Sequence, residues 1–146
     1  MKKVESRYVL VVGCGRLGAH LASQLSRQGH SVVVIDTNEA KFSSLAVEFG
    51  GFRLEGDATE LAVLQQAKAD RADSLIAVTA DDNVNLTVAQ VGKHVFEIPE
   101  VFARVSNPER AAMSHELGVQ TVCPLTLASE DLLRRVLGAG GEGEEA

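Results

Sequence analysis

The sequence predicts one α/β domain: a doubly wound, parallel, six-stranded sheet in the order 3-2-1-4-5-6, covered by helices on both faces. Three observations predict it. Short β-branched runs alternate with longer segments of helical period, a glycine-rich turn joins the first run to the first helical segment, and 146 residues make one ordinary domain.

The runs are Tyr8–Val12, Ser31–Ile35, Gly51–Glu55, Ser74–Val78, Val101–Val105 and Gln120–Cys123. In the third, Arg53 and Glu55 alternate with Phe52 and Leu54, making it the weakest. The other five read as strands buried on both sides. Between the runs the apolar spacing lengthens. Leu17, Leu21 and Leu25 recur every fourth residue, and Gly29 supplies a left-handed stop. Val84, Val88, Val91 and Val95 form a second stripe that Asp81 or Asp82 can cap. Asn107 and Pro108 start a third helix that Gly118 ends. A last helix, roughly 126–137, carries Leu127, Leu132, Leu133, Val136 and Leu137, more leucine than packing on a sheet requires.

Composition bounds the function. With 45% hydrophobic and 23% charged residues the chain can bury a core without staples. The domain is expected over 1–137, with 138–146 a flexible tail containing Glu142, Glu144 and Glu145. A net charge of −6 provides no field for a polyanion, so no nucleic-acid partner is expected. No apolar run approaches the roughly 20 residues of a membrane span, so direct membrane insertion is not expected and a cytoplasmic protein is. Cys14 and Cys123 read as reduced thiols, and the four histidines show no metal-site spacing.

The strongest local signal is Val11-Val12-Gly13-Cys14-Gly15-Arg16-Leu17-Gly18, which leaves the first strand and opens the first helix. Gly13 makes the tight turn, Gly15 lets the backbone approach a pyrophosphate, and Gly18 lets helix and strand pack closely. Amides at the helix start then face an anion. Asp36 ends the second strand, where its carboxylate can accept hydrogen bonds from ribose hydroxyls and would repel a 2′-phosphate. This favours NAD or an adenine nucleotide over NADP.

Later strand ends add candidates at the same edge. Asp57 accepts from an adenine amino group, or else is a turn residue ahead of a helix capped by Thr59. Thr79 can reach the ribose-phosphate, Arg16 can neutralise phosphate charge, and Arg104 calls for a carboxylate or nucleotide partner. Cys14 lies where a helix start lowers a thiol pKa, or is simply a small loop filler. Tyr8 is the single tyrosine and sits in a strand, so a tyrosine–lysine reductase pair is absent. Nucleophile-elbow and Walker motifs are absent too. Binding rather than catalysis is expected, with a small NAD-dependent oxidoreductase as the alternative.

VVGCGRLGAHLASQLSRQGHSVVVIDTNEAKF, EGDATE, ADSLIAVTADDNVNLTVAQ, IPEVFARVSNPE and LGVQTVCP, in that order, resemble the nucleotide-binding N-terminal domain (KTN or RCK, also TrkA-N) of Trk and Ktr potassium-uptake regulators. The resemblance covers about residues 7–137. It implies a Rossmann-like regulatory subunit that binds NAD(H), ATP, ADP or AMP and passes occupancy to an integral-membrane potassium transporter. It also implies a homodimer, often assembled into a higher ring, at the inner face of the cell membrane through that partner. By motif position the contacts fall on Gly13, Cys14, Gly15, Arg16, Leu17 and Gly18, on Asp36 and Thr37, on Asp57 and Ala58, on Thr79, and on Arg104. Full-length members usually carry a second domain where this chain has its glycine–glutamate ending. Some place an acidic residue after the proline that closes the sixth strand; here Leu125 follows Pro124, so no metal is expected.

Overall fold

A computed structural model describes residues 5–138; the predicted tail lies, but for its first residue, outside them. Strands are β1 Tyr8–Val12, β2 Ser31–Asp36, β3 Phe52–Glu55, β4 Ser74–Ala77, β5 Glu100–Arg104 and β6 Gln120–Val122. Helices are α1 Arg16–Arg27, α2 Leu61–Gln66, α3 Asp82–His94, α4 Pro108–Ser114 and α5 Pro124–Val136, with 3-10 turns at Glu39–Ser44, Ala69–Arg71 and His115–Leu117. The strands pair in parallel in the order β3-β2-β1-β4-β5-β6, as the alternating pattern predicts.

Alternation along the central strands divides the core in two. Leu10, Val12, Val33 and Ile35 face one side with Leu64 of α2 and Val88 of α3. Val9, Val11, Val32 and Val34 face the other with Ala19 and Ala22 of α1 and with Phe42 and Phe49. Because β1 is flanked by β2 on one side and β4 on the other, with Val12 opposite both Ile35 and Ala77, the strand order reverses there. Crossovers leave from both sides of this point and open a crevice above the strand C-termini.

Several expectations are corrected. The leucines of α1 are only half-buried, whereas Gly18, Ala19 and Ala22 are buried. Small side chains let this helix approach the sheet closely, and its leucines fill the flanks. β6 is no doubly buried strand: Gln120 is exposed and Thr121 and Val122 are half-buried, because an edge strand has one neighbour. β3 is the other edge, with Phe52 75% exposed. Val95 falls just beyond α3 and is exposed. Helix α5 starts at Pro124, earlier than predicted, since proline suits the first helical position. None of its residues is buried. Asn107 caps α4 by accepting from the Glu109 amide, and Gly118 takes the left-handed conformation (φ +78°) after the following turn, both as predicted.

Candidate functional site

The loop between β1 and α1 is fixed by contacts that tolerate only glycine. Gly13 sits at φ +105°, and a Cβ there would lie 2.9 Å from the Thr79 amide nitrogen. A Cβ on Gly18 would lie 1.8 Å from the Gly13 carbonyl oxygen. Gly15 differs: a Cβ there would meet nothing within 4 Å, so its bareness keeps open space open. No side chain caps α1, which leaves its first-turn amides without a side-chain acceptor at the positive end of the helix dipole.

Asp36 ties this loop to the second strand. One carboxylate oxygen accepts from the Cys14 amide at 2.8 Å and the other from the Asn38 amide at 2.8 Å. Each oxygen keeps a further lone pair. Two cavities meet beside this carboxylate. One, of about 280 Å³, is bounded by Asp36, Thr37, Asp57, Ala58 and Thr79. The other, of about 460 Å³, is bounded by Gly13, Gly15, Arg16, Leu17, Asp36, Thr79 and Arg104. Ten of the twelve predicted residues thus line one cleft. Cys14 and Gly18 are buried beneath it and line neither cavity. A larger cavity of about 850 Å³ lies at the opposite, N-terminal ends of β2 and β3 and contains none of the twelve.

The cleft is electrically divided. Arg16 and Arg104 border the cavity under the glycine loop, and neither has a carboxylate within 4 Å among the described residues. The carboxylate partner open to Arg104 is therefore not present; half-exposure lets water solvate the guanidinium instead. Lys41 borders both cavities and is likewise without an ion pair among those residues. No motif marks it. It arrives because Asn38 accepts from the Ala40 amide and winds the chain after β2 into a 3-10 turn directed back at Asp36. On the acidic side, Asp57 accepts from the Thr59 hydroxyl and then the Thr59 amide through Oδ1, which lowers its carboxyl pKa. Contrary to the turn reading, Thr59 does not cap α2; Glu60 occupies the cap position without a side-chain bond, and Thr59 serves Asp57. Asp81 caps α3 through the Asn83 and Val84 amides. Asp82 instead accepts from the Ser106 amide and hydroxyl.

Cys14 is fully buried, and that burial, followed by the Asp36 charge, raises its thiol pKa. This overturns the lowered pKa expected at a helix start: the side chain points into the core, where the thiolate would be desolvated. The residue packs the loop.

An open parallel sheet with a glycine turn leading into an uncapped helix, and an acid at the end of the next strand, defines a Rossmann-like domain with its cleft at the topological switch point. The chain belongs to the TrkA-N domain family, whose profile matches residues 9–124. It is 36% identical over 135 residues to the Trk system potassium uptake protein TrkA of Streptomyces coelicolor, covering 92% of this chain and 60% of that protein. Among solved structures, the TrkA-N domain of the inner membrane protein ybaL from Escherichia coli superposes with a TM-score of 0.78 at 24% identity, covering 89% of this chain and 96% of that one. The GsuK channel bound to NAD superposes at 0.76 with 25% identity, over 92% of this chain and 24% of that one. GsuK bound to ADP superposes at 0.74 with 26% identity, over 88% and 33%. The Streptomyces relative is named a potassium uptake protein and GsuK a channel; neither name is that of an oxidoreductase. No helix among the described residues is long and apolar enough to cross a membrane.

Proposed function

We propose that this chain is the nucleotide-binding part of a cytoplasmic regulatory subunit serving an integral-membrane potassium transporter or channel. The observation that carries the reading is the division of the cleft. Three cations without carboxylate partners among the described residues, Arg16, Lys41 and Arg104, border its phosphate side, and Asp36 stands at the ribose position. An adenosine moiety with a diphosphate, as in NAD(H), ADP or ATP, matches that polarity, and AMP matches its inner part. The two GsuK neighbours, described as bound to NAD and to ADP, support the same ligand class. All twelve predicted contacts belong to this proposal, ten as cleft lining and Cys14 and Gly18 as its buried support.

Occupancy acts by favouring one conformation, and a ligand contributes only its difference in affinity between states, typically about 1–3 kcal/mol. Exchanging ligands with different phosphate counts changes the charge met by Arg16, Lys41 and the α1 start, where such a difference arises. The protein reaches the inner face of the membrane through its transporter partner. The domain proposed is residues 1–137, described from residue 5 onward, with residues 138–146 left outside it. Helix α5 and the residue that follows it supply the contact between copies: Leu125, Leu127, Leu132, Leu133, Val136 and Leu137 are each at least 57% exposed. A helix of 13 residues with no buried side chain is marginal alone in water. A homodimer covers that face, and rings extend it.

The test is calorimetric titration of NADH, NAD, AMP, ADP and ATP into wild-type protein and Asp36→Ala, with mass spectrometry of nucleotide released on denaturation. Binding of at least one adenine nucleotide, weakened about tenfold or more by the substitution, is expected. Affinities that Asp36→Ala leaves unchanged refute the ribose role.

A further inference from the structure

Asn85 lies in α3 among valines, is 0% exposed, and has all four of its hydrogen-bonding positions filled. Oδ1 accepts from the Thr79 amide at 2.8 Å and from the Thr79 hydroxyl at 2.7 Å. Nδ2 donates to the Thr79 carbonyl at 3.0 Å and to the Arg104 carbonyl at 2.9 Å. One side chain therefore joins the ends of β4 and β5 at the two places where they border the cleft.

The network also fixes where protons lie. Carbonyl oxygens only accept, so the atom facing Thr79 O and Arg104 O must be the amide nitrogen, and the amide cannot flip. Oδ1 then faces Thr79, and the single Thr79 hydroxyl proton goes to it at 2.7 Å rather than to the Asp81 carbonyl at 3.2 Å. The Asp81 amide donates to the same hydroxyl oxygen at 3.1 Å. What Thr79 has left for the cleft is one lone pair.

We infer that Asn85 is a positioning residue that makes Thr79 an acceptor only, so that this point of the cleft takes a hydrogen-bond donor of the ligand, a ribose hydroxyl, and turns away phosphate oxygens. The inference rests on the nucleotide reading and sharpens it. Phosphates are left to the α1 start and the cations, and the sugar is held between two acceptors, Asp36 and Thr79.

The test compares ADP with 2′,3′-dideoxy-ADP. Thr79→Val should weaken ADP about twofold to tenfold, the range of one hydrogen bond, and leave the dideoxy ligand unchanged. Thr79→Ser, which keeps the hydroxyl, should restore ADP binding. An equal loss for both ligands means that Thr79 meets phosphate, and overturns the inference. Asn85→Ala should narrow the ratio between the two ligands by the factor that Thr79→Val removes. Val88→Ala, at an equally buried position of α3, should leave the ratio alone. An unchanged ratio in Asn85→Ala also overturns the inference. Should that variant fail to fold, proton exchange in ligand-free wild-type protein decides: the Asn85 side-chain amide protons should exchange far more slowly than those of exposed asparagines, and surface-like exchange refutes the clamp. Wild-type protein that binds no adenine nucleotide refutes the nucleotide reading, and the exchange measurement then still decides the clamp.

Discussion

Two alanines three residues apart should act on different properties of the molecule. In Gly18→Ala the new Cβ lies 1.8 Å from the Gly13 carbonyl oxygen, so loop and helix must separate by more than an ångström to restore van der Waals contact. That shift strains the 2.7 Å bond from the Gly13 amide to the Ile35 carbonyl, which anchors the loop to β2. Overpacking costs about 1–3 kcal/mol and a broken buried hydrogen bond about 1–3 kcal/mol more. The sum, roughly 2–6 kcal/mol, is a large share of the 5–15 kcal/mol typical of a domain. In Gly15→Ala the Cβ meets nothing within 4 Å and the backbone, at φ −79°, suits any residue. Stability should change by less than about 1 kcal/mol. Its methyl group, however, stands where a diphosphate approaches the α1 start, and ADP affinity should fall about tenfold or more. Urea unfolding followed by far-UV circular dichroism suits a chain without tryptophan, and calorimetry gives the affinities. A Gly18→Ala protein as stable as wild type, or a folded Gly15→Ala protein with undiminished ADP affinity, would refute the assignment of packing to one glycine and ligand approach to the other.

Lys41→Met should weaken ADP about threefold to tenfold and leave adenosine unchanged in the same calorimeter, because only the charged part of the ligand meets the ammonium group. Asp82 has its carboxyl pKa lowered, first by the Ser106 amide. Its ionised form is thus favoured by folding: the contribution is fully present above the unfolded value of about 3.9 and is lost as pH falls through the lower folded value. Melting temperature should therefore fall less steeply below about pH 4 in Asp82→Asn than in wild type. Leu132→Asp should convert a dimer to a monomer in light scattering with little change in melting temperature of the monomeric unit; a wild-type monomer would remove α5 as the interface.

Strand order and the glycine turn were legible because both follow from local pattern: β-branched runs reveal strands, and no other residue fits at Gly13 and Gly18. Asp36 was legible for the same reason, being the acid at the end of the second run. Lys41 was not, because its place depends on a 3-10 turn that brings an ordinary surface-type lysine back to the cleft. Asn85 was hidden for the opposite reason. A polar residue in a helix reads as solvent-facing, and only the folded chain shows two strand ends converging on it. The leucine stripe of α1 marks a helix without marking its contact face, since periodicity locates apolar residues and does not reveal that alanines and a glycine approach the sheet. Thr59 misled because Asp57, two residues earlier, competes for it.

The parallel arrangement of the sheet has a kinetic consequence. No two neighbouring strands are joined by a hairpin, and β1 must wait for β4, whose residues lie more than sixty positions further along the chain, before its second side is covered. Refolding should run in milliseconds to seconds, as for chains dominated by distant pairings, and unpaired valine-rich strands stay exposed to other molecules meanwhile. Arg53 and Glu55 on the outermost strand then act as guards: charges on an open edge discourage strangers from adding a strand there.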